Sequence, residues 1–267
     1  MEENTSRPIV ELVKAGSNVL GQFYQDLAQP SVRALGQALG TVFELCPTSL
    51  LSLKIWTEKR KLNFKKRLNE YAKKIEDIPE DKRCEVDTQI GTPIVEKLTY
   101  TTNDEIADLF TTLLTNASNT ETVNRAHPAF VDIIGRLSED EAQIIKYLQN
   151  CLEIPYCSFR AMQRSENGGF STIVDHATLL PFKVSLKFPQ NISAYISNLI
   201  SLGILSDENG LFKVDDTEYN QICEKHGLES LRGRLVPNIF KAIEVTKSYF
   251  KVTQFGTLFI SACIKKQ

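Results

Sequence analysis

The chain is poor in the residues that announce chemistry. Its three histidines, His127, His176 and His226, fall in separate segments with no evident Ser or Cys partner, so a paired nucleophile and base is not indicated. The six cysteines, Cys46, Cys84, Cys151, Cys157, Cys223 and Cys263, include no Cys-x-x-Cys pair and no Cys/His group at zinc-ligand spacing. Reduced thiols and no metal site are therefore expected. Neither a GxxxxGK[ST] loop nor a GxGxxG fingerprint is present, which removes two well-defined backbone cradles for nucleotide phosphates. No cofactor is expected, and the chain reads as a protein that is not an enzyme.

Long apolar runs are missing as well. A bilayer-crossing helix needs about 20 mainly apolar residues. Ala34 to Trp56 comes nearest and contains Gly36-Gln37-Ala38-Leu39-Gly40, a small-residue spacing suited to packed membrane helices, but Glu44, Pro47 and Lys54 interrupt it. The start, Met1-Glu2-Glu3, has neither a basic region nor an apolar stretch after it, so no secretory signal is expected. The expected location is the cytoplasm, with peripheral, reversible association at the inner membrane face left open.

What the chain does have is ordinary globular composition, 42% hydrophobic and 24% charged, over 267 residues, a length that favours more than one core. The net charge of −2 is unevenly spread. Lys54 to Glu76 holds nine basic and three acidic side chains, whereas Asp77 to Lys146 holds six basic and fourteen acidic. Blocks of opposite sign attract each other.

Helical spacing dominates the first half. Ile9, Val13, Gly16, Leu20, Phe23 and Leu27 step by three and four, as do Val32, Leu35, Leu39, Val42, Phe43 and Cys46 after Pro30. A third helix is expected from about Ser49 to Ile75, with Phe64, Leu68, Tyr71 and Ile75 on one side. Ile78-Pro79-Glu80-Asp81-Lys82 reads as a linker. Thr102-Asn103-Asp104-Glu105 has the form of a capping box and precedes Ile106, Leu109, Phe110, Leu113, Leu114 and Ala117 on one stripe. Pro128 suits the first position of a helix bearing Phe130, Ile133, Ile134 and Leu137. Ser138-Glu139-Asp140-Glu141 repeats the box ahead of Ile144, Ile145 and Leu148.

After Leu148 the pattern changes. Phe182, Val184, Leu186 and Phe188 alternate with Lys183, Ser185 and Lys187, the period of a short strand. A helix from about Ile192 should end at Gly203. Ile204-Leu205, a turn at Asn209-Gly210 and Leu211-Phe212-Lys213-Val214 suggest a hairpin. Glu218 to Lys225 reads as a helix ended by Gly227, Tyr249 to Val252 as a strand, and Gln254 to Ile264 as a last helix. The expected fold is mostly α: an N-terminal helical hairpin or bundle (1–78), a central helical unit (79–136), and a C-terminal winged-helix-like α/β part (137–267).

Several of these segments carry a likeness. Gly91-Thr92-Pro93-Ile94, Glu96-Lys97-Leu98, Asn103-Asp104-Glu105, Leu113-Leu114, His127-Pro128-Ala129-Phe130, Leu137-Ser138-Glu139-Asp140-Glu141, Asn198 to Ile204 and Thr253-Gln254-Phe255-Gly256 together resemble the bacterial abortive-infection alpha family over roughly Lys54 to Cys263. The resemblance implies a role in limiting phage infection and brings no catalytic residues. Within that motif set His127, Pro128 and Phe130 stand out, His127 being read as a helix cap or packing residue.

Three surfaces remain as candidates. Lys59, Arg60, Lys61, Lys65, Lys66 and Arg67 form a basic helix face suited to an acidic protein partner, an anionic lipid surface or a phosphate backbone. The expected recognition helix, Asn191 to Leu202, holds no Lys or Arg, so nucleic acid is disfavoured, because phosphate neutralisation dominates such affinity. A regulator would need a basic surface assembled from Arg160, Arg164, Arg232 and Arg234. The reading that results is a non-enzymatic effector or adaptor acting through a protein partner, with homo-oligomerisation open. A winged-helix transcriptional regulator and a membrane-associating effector are the alternatives.

Overall fold

The computed structural model describes residues 58–165 and 168–265. They divide into two compact units: one extends to Leu137 and resumes at Ser261, and the other is Ser138–Ile260. The helical stripes expected before Trp56, including Ala34 to Trp56, lie outside the described residues.

In the first unit the helices are α1 (Glu58–Glu76), α2 (Thr88–Leu98), α3 (Asp104–Ala117) and α4 (Ala129–Gly135). The stripe on α1 is as spaced: Phe64, Leu68, Tyr71 and Ile75 are buried. So are Ile106, Leu109, Phe110, Leu113, Leu114 and Ala117 of α3, each contributing roughly 1.5–3 kcal/mol for the larger side chains removed from water. The start of α3 is one residue later than the capping-box form suggests. Asn103, in extended conformation, is the cap, and its side chain accepts from the Ile106 amide at 3.0 Å. Asn at this position caps better than Thr. Tyr71 joins α1 to the end of α3 through a buried 2.7 Å hydrogen bond with Ser118, whose hydroxyl in turn donates to the Leu114 carbonyl.

The second unit opens with α5 (Glu139–Leu148), where the expected box is complete: the Glu141 amide donates to Ser138 Oγ and the Ser138 amide to Glu141 Oε2. Then come β1 (Glu153–Gln163), β2 (Phe170–Thr178), α6 (Leu180–Lys183), α7 (Ile192–Ser201), β3 (Leu205–Asp207), α8 (Thr217–Lys225), α9 (Leu228–Gly233), β4 (Phe240–Val252) and α10 (Gln254–Cys263). The strands form one antiparallel sheet in the order β2-β1-β4-β3. One face is apolar: Cys157, Phe159, Ala177 and Ile243 pack with Tyr219, Ile222 and Leu228 from α8 and α9. The chain is thus mixed α/β with a helical majority.

This sheet does not confirm the winged-helix expectation. Leu211–Val214 forms no strand; the Lys213 amide is taken by the Tyr219 hydroxyl at 3.0 Å, and β3 pairs with β4 instead. The strand expected at Phe182–Phe188 is also absent. Its first residues turn helical after Pro181, and the amides of Lys187 and Phe188 donate to the Asp140 carboxylate at 2.7 and 2.8 Å, so they cannot serve a ladder. The family-like segments near the end do meet. The Thr253 amide donates to the Ile204 carbonyl, Thr253 Oγ1 donates to Gly203, and the Gly256 amide donates to Thr253 Oγ1. Among the described residues no helix is long and apolar enough to cross a membrane.

Candidate functional site

The sheet's second face carries Ser158, Arg160, Glu244, Thr246 and Ser248 by strand alternation, and a register irregularity between β1 and β2 adds two further polar residues. Cys157 pairs with Ala177 and Phe159 with Val174, so two residues of β2, Asp175 and His176, stand opposite Ser158 alone. Such a bulge bends its strand and re-aims side chains. His176 adopts φ +52, a left-handed conformation uncommon outside glycine, though His, Asn and Asp tolerate it better than most. Buried Ser158 holds the bulge from across: its hydroxyl donates to Asp175 Oδ1 at 2.8 Å and accepts from the His176 amide at 3.2 Å.

The re-aimed imidazole lies edge-on to Tyr156, centroids 4.7 Å apart, and near Phe250 at 5.4 Å. Its two nitrogens stand 3.5 Å from an Asp175 oxygen and 3.9 Å from an Asp207 oxygen. Tyr156 donates its hydroxyl to Asp207 Oδ1 at 2.8 Å. Burial, together with the Asp207 carboxylate, pushes the Tyr156 phenol up to about 12. Around these groups opens a cleft of about 680 Å³, lined also by Arg160, Asn209, Gly210, Phe212 and β4 from Val245 to Ser248. Arg160 lies over the Phe170 ring at 4.6 Å.

Chemically this is a set of fixed donors, acceptors and aromatic edges. The Ser158 hydroxyl is committed inside the bulge, and the phenol is held protonated near neutrality. Among the described residues no group of three His, Cys, Asp or Glu side chains is placed to hold a metal.

The residues singled out by sequence fall elsewhere. The side chains of Lys59, Arg60 and Lys61 lie outside the described residues. Lys65 is exposed. Lys66 meets both Asp104 oxygens at 3.2 Å. Arg67, placed on the exposed binding face by sequence, is instead 1% exposed: its guanidinium is tied to Asp104, to Glu70 at 3.2 Å and to the Thr102 carbonyl. Hydrogen bonds from Arg67 and Lys66 hold the Asp104 carboxyl below its usual range. His127 accepts from the Ala129 amide through Nδ1 at 3.1 Å and lies 5.6 Å from the Phe130 ring, while Pro128 directly precedes α4. His226 is joined through Nε2 to the Thr178 carbonyl at 2.9 Å.

Of the arginines a regulator would need, Arg164 donates to the Pro237 and Phe240 carbonyls and Arg232 to Glu229. Together with the stacked Arg160, three of the four are engaged within their own unit. Tyr156, Ser158, Asp175, His176 and Asp207 were not foreseen as a group. The available signal was the polar pair Asp175-His176 breaking a β-rich run, Ser171 to Thr178.

The family model described as Abortive infection alpha matches residues 57–263. No curated protein matches the chain. A solved structure, described as the uncharacterized protein from the hydrocarbon-degrading marine bacterium Alcanivorax borkumensis SK2, is similar at 13% identity over 51% of this chain and 93% of that one. Its TM-score is 0.33.

Proposed function

Because this chain belongs to the abortive infection alpha family, we propose that it serves in abortive-infection defence and limits phage through non-enzymatic contact with a protein partner, made at the polar cleft of the sheet. Family membership supports a role in defence. The cleft supports the contact: its reactive-looking groups are spent on one another, Ser158 on Asp175 and the His176 amide, and Tyr156 on Asp207. Preorganised groups of this kind recognise a surface without supplying a free nucleophile.

The test is phage plating on cells that carry the protein. Ser158→Ala removes the only hydroxyl in the bulge and should leave protection near wild type with a lower melting temperature. Phe212→Glu alters an exposed rim residue and should abolish protection with melting unchanged. The reverse result, protection lost in Ser158→Ala and kept in Phe212→Glu with both proteins folded, would replace contact with chemistry.

A further inference from the structure

β4 is thirteen residues long, and its two sides are unequally covered. β1 pairs with it from Glu153 and Lys251 to Gln163 and Phe240. On the other side β3 reaches only from Leu205 and Val252 to Asp207 and Phe250, followed by one bond from the Glu208 amide to the Tyr249 carbonyl at 3.1 Å.

That bond, and the bond from the Thr253 amide to Ile204 at 3.0 Å, fix which way the peptide groups of β4 look. In an antiparallel ladder alternate residues address alternate sides. Odd-numbered residues therefore face the β3 side, and even-numbered ones face β1. Past Tyr249 the N–H and C=O groups of Lys247, Val245 and Ile243 point where no strand lies among the described residues. The chain has already left: the Leu211 amide closes a turn onto Glu208 at 2.9 Å, with Gly210 at φ +88. The vacated course is part of the cleft, between Asn209, Gly210 and Phe212 and the Val245–Ser248 edge.

Natural sheets blunt long free edges with proline, bulges, short strands or charged side chains, of which this edge carries Glu244 and Lys247 alone. Between Ile243 and Lys247 there is no proline, and the one register irregularity between β1 and β4 sits at the far end, by Gln163. We propose that this edge is a strand-addition site, on which an extended segment of the protein partner pairs with Ile243–Lys247. The proposal rests on the protein-contact reading above.

The two faces of the edge specify the segment. On the cleft face stand Asp175, Asp207 and Glu244, while the Arg160 guanidinium is turned onto Phe170. On the opposite face Ile243 and Val245 belong to the apolar cluster with Leu231 and Leu235. An added strand thus meets carboxylates with one set of alternate side chains and, with the other, hydrocarbon that ends at Lys247, itself paired with Asp216 at 2.8 Å. The fitting partner alternates Lys or Arg with Val or Ile. Shifting its register by one residue would reverse both matches.

The experiment is hydrogen exchange and affinity measurement on the full chain, with a seven-residue Lys-Val alternating peptide, blocked at both ends, as probe. A Glu-Val peptide is the charge control. Two further Lys-Val peptides carry N-methyl groups, one on the lysine amides and the other on the valine amides. Expected are slowed exchange across residues 241–247, no protection by the Glu-Val peptide, and an affinity loss of at least about tenfold for one of the two methylated forms, as the loss of peptide hydrogen bonds requires. Val245→Pro deletes an outward amide that meets no strand among the described residues and should weaken binding similarly, with a lower melting temperature because Val245 packs on the apolar cluster; the methylated peptides carry the test if that variant does not fold.

Equal binding by both methylated forms, or unchanged exchange of β4, would overturn the proposal. Concentration-dependent protection without peptide would assign the edge to a second copy and overturn it too. Loss of phage protection in Phe212→Glu alongside unprotected β4 would keep the contact reading and discard strand addition.

Discussion

At Gly256 one missing methyl group decides whether two segments can meet. A Cβ there would stand 2.3 Å from the Ile204 carbonyl oxygen, and that oxygen is held by the Thr253 amide, so it cannot yield. Gly256→Ala should cost about 1–3 kcal/mol, the range for forcing volume into a packed site. Gly233→Ala, in open space at the end of α9 without a positive φ, should be neutral or mildly stabilising. Urea denaturation of the two variants checks the contrast; equal midpoints would refute it.

Asp140 is the second residue of this kind. Burial alone would raise its pKa. The Lys187 amide, the Tyr195 hydroxyl at 2.7 Å and the Phe188 amide outweigh burial and hold it below the usual carboxylate range. A carboxyl depressed in the folded state stabilises above its unfolded pKa, about 3.9, and loses that contribution as pH falls through the lower folded value. Asp140→Asn should therefore cost about 1–3 kcal/mol at neutral pH. Its deficit against wild type should shrink in acid, which denaturation at pH 7 and pH 3 would show; a deficit independent of pH would contradict the assignment.

At the scale of elements, helices were legible and half the sheet was not, for a physical reason. The stripes of α1, α3 and α5 alternate with polar residues in the sequence, so a 3.6-residue period shows. β1 is buried on both faces from Ile154 to Phe159, which erases alternation. Pro155 also reads as a breaker. It is tolerated because the hydrogen bond from the Val252 amide to Leu152 sets even-numbered residues of β1 toward β4, leaving position 155 facing a side that β2 has already left at Tyr156. The candidate site was hidden more deeply, since Tyr156, Asp175 and Asp207 converge only when that sheet and its bulge exist. The bulge makes its own prediction. Val is the better strand former, yet at the φ of His176 it pays the left-handed penalty that Gly escapes. His176→Val should be about 1–2 kcal/mol less stable than His176→Gly. Matched thermal melts would decide, and a more stable Val variant would mean that the bulge relaxes.

For the whole molecule, the opposed charge blocks pose the question of where the proposed partner would dock. Within the first unit they meet in part: Lys66 and Arg67 reach Asp104, and Lys74 lies 2.7 Å from Asp108, while Lys65 and Lys73 stay exposed. Charge already neutralised by a neighbour offers a partner little, because binding would have to replace contacts that exist. Reversing the exposed pair, Lys65→Glu with Lys66→Glu, removes two surface ion pairs of Lys66, with Asp104 and Glu70, each worth about 0–1 kcal/mol, and adds modest repulsion with both carboxylates. The doubly reversed protein should fold and restrict phage about as well as wild type, whereas Phe212→Glu should not. Plating efficiency of the two in parallel, with melting temperatures to certify folding, separates the surfaces. Protection lost in the double reversal and retained in Phe212→Glu would move the docking surface from the cleft to α1, and with it the partner's chemistry from a basic-apolar strand to an acidic face.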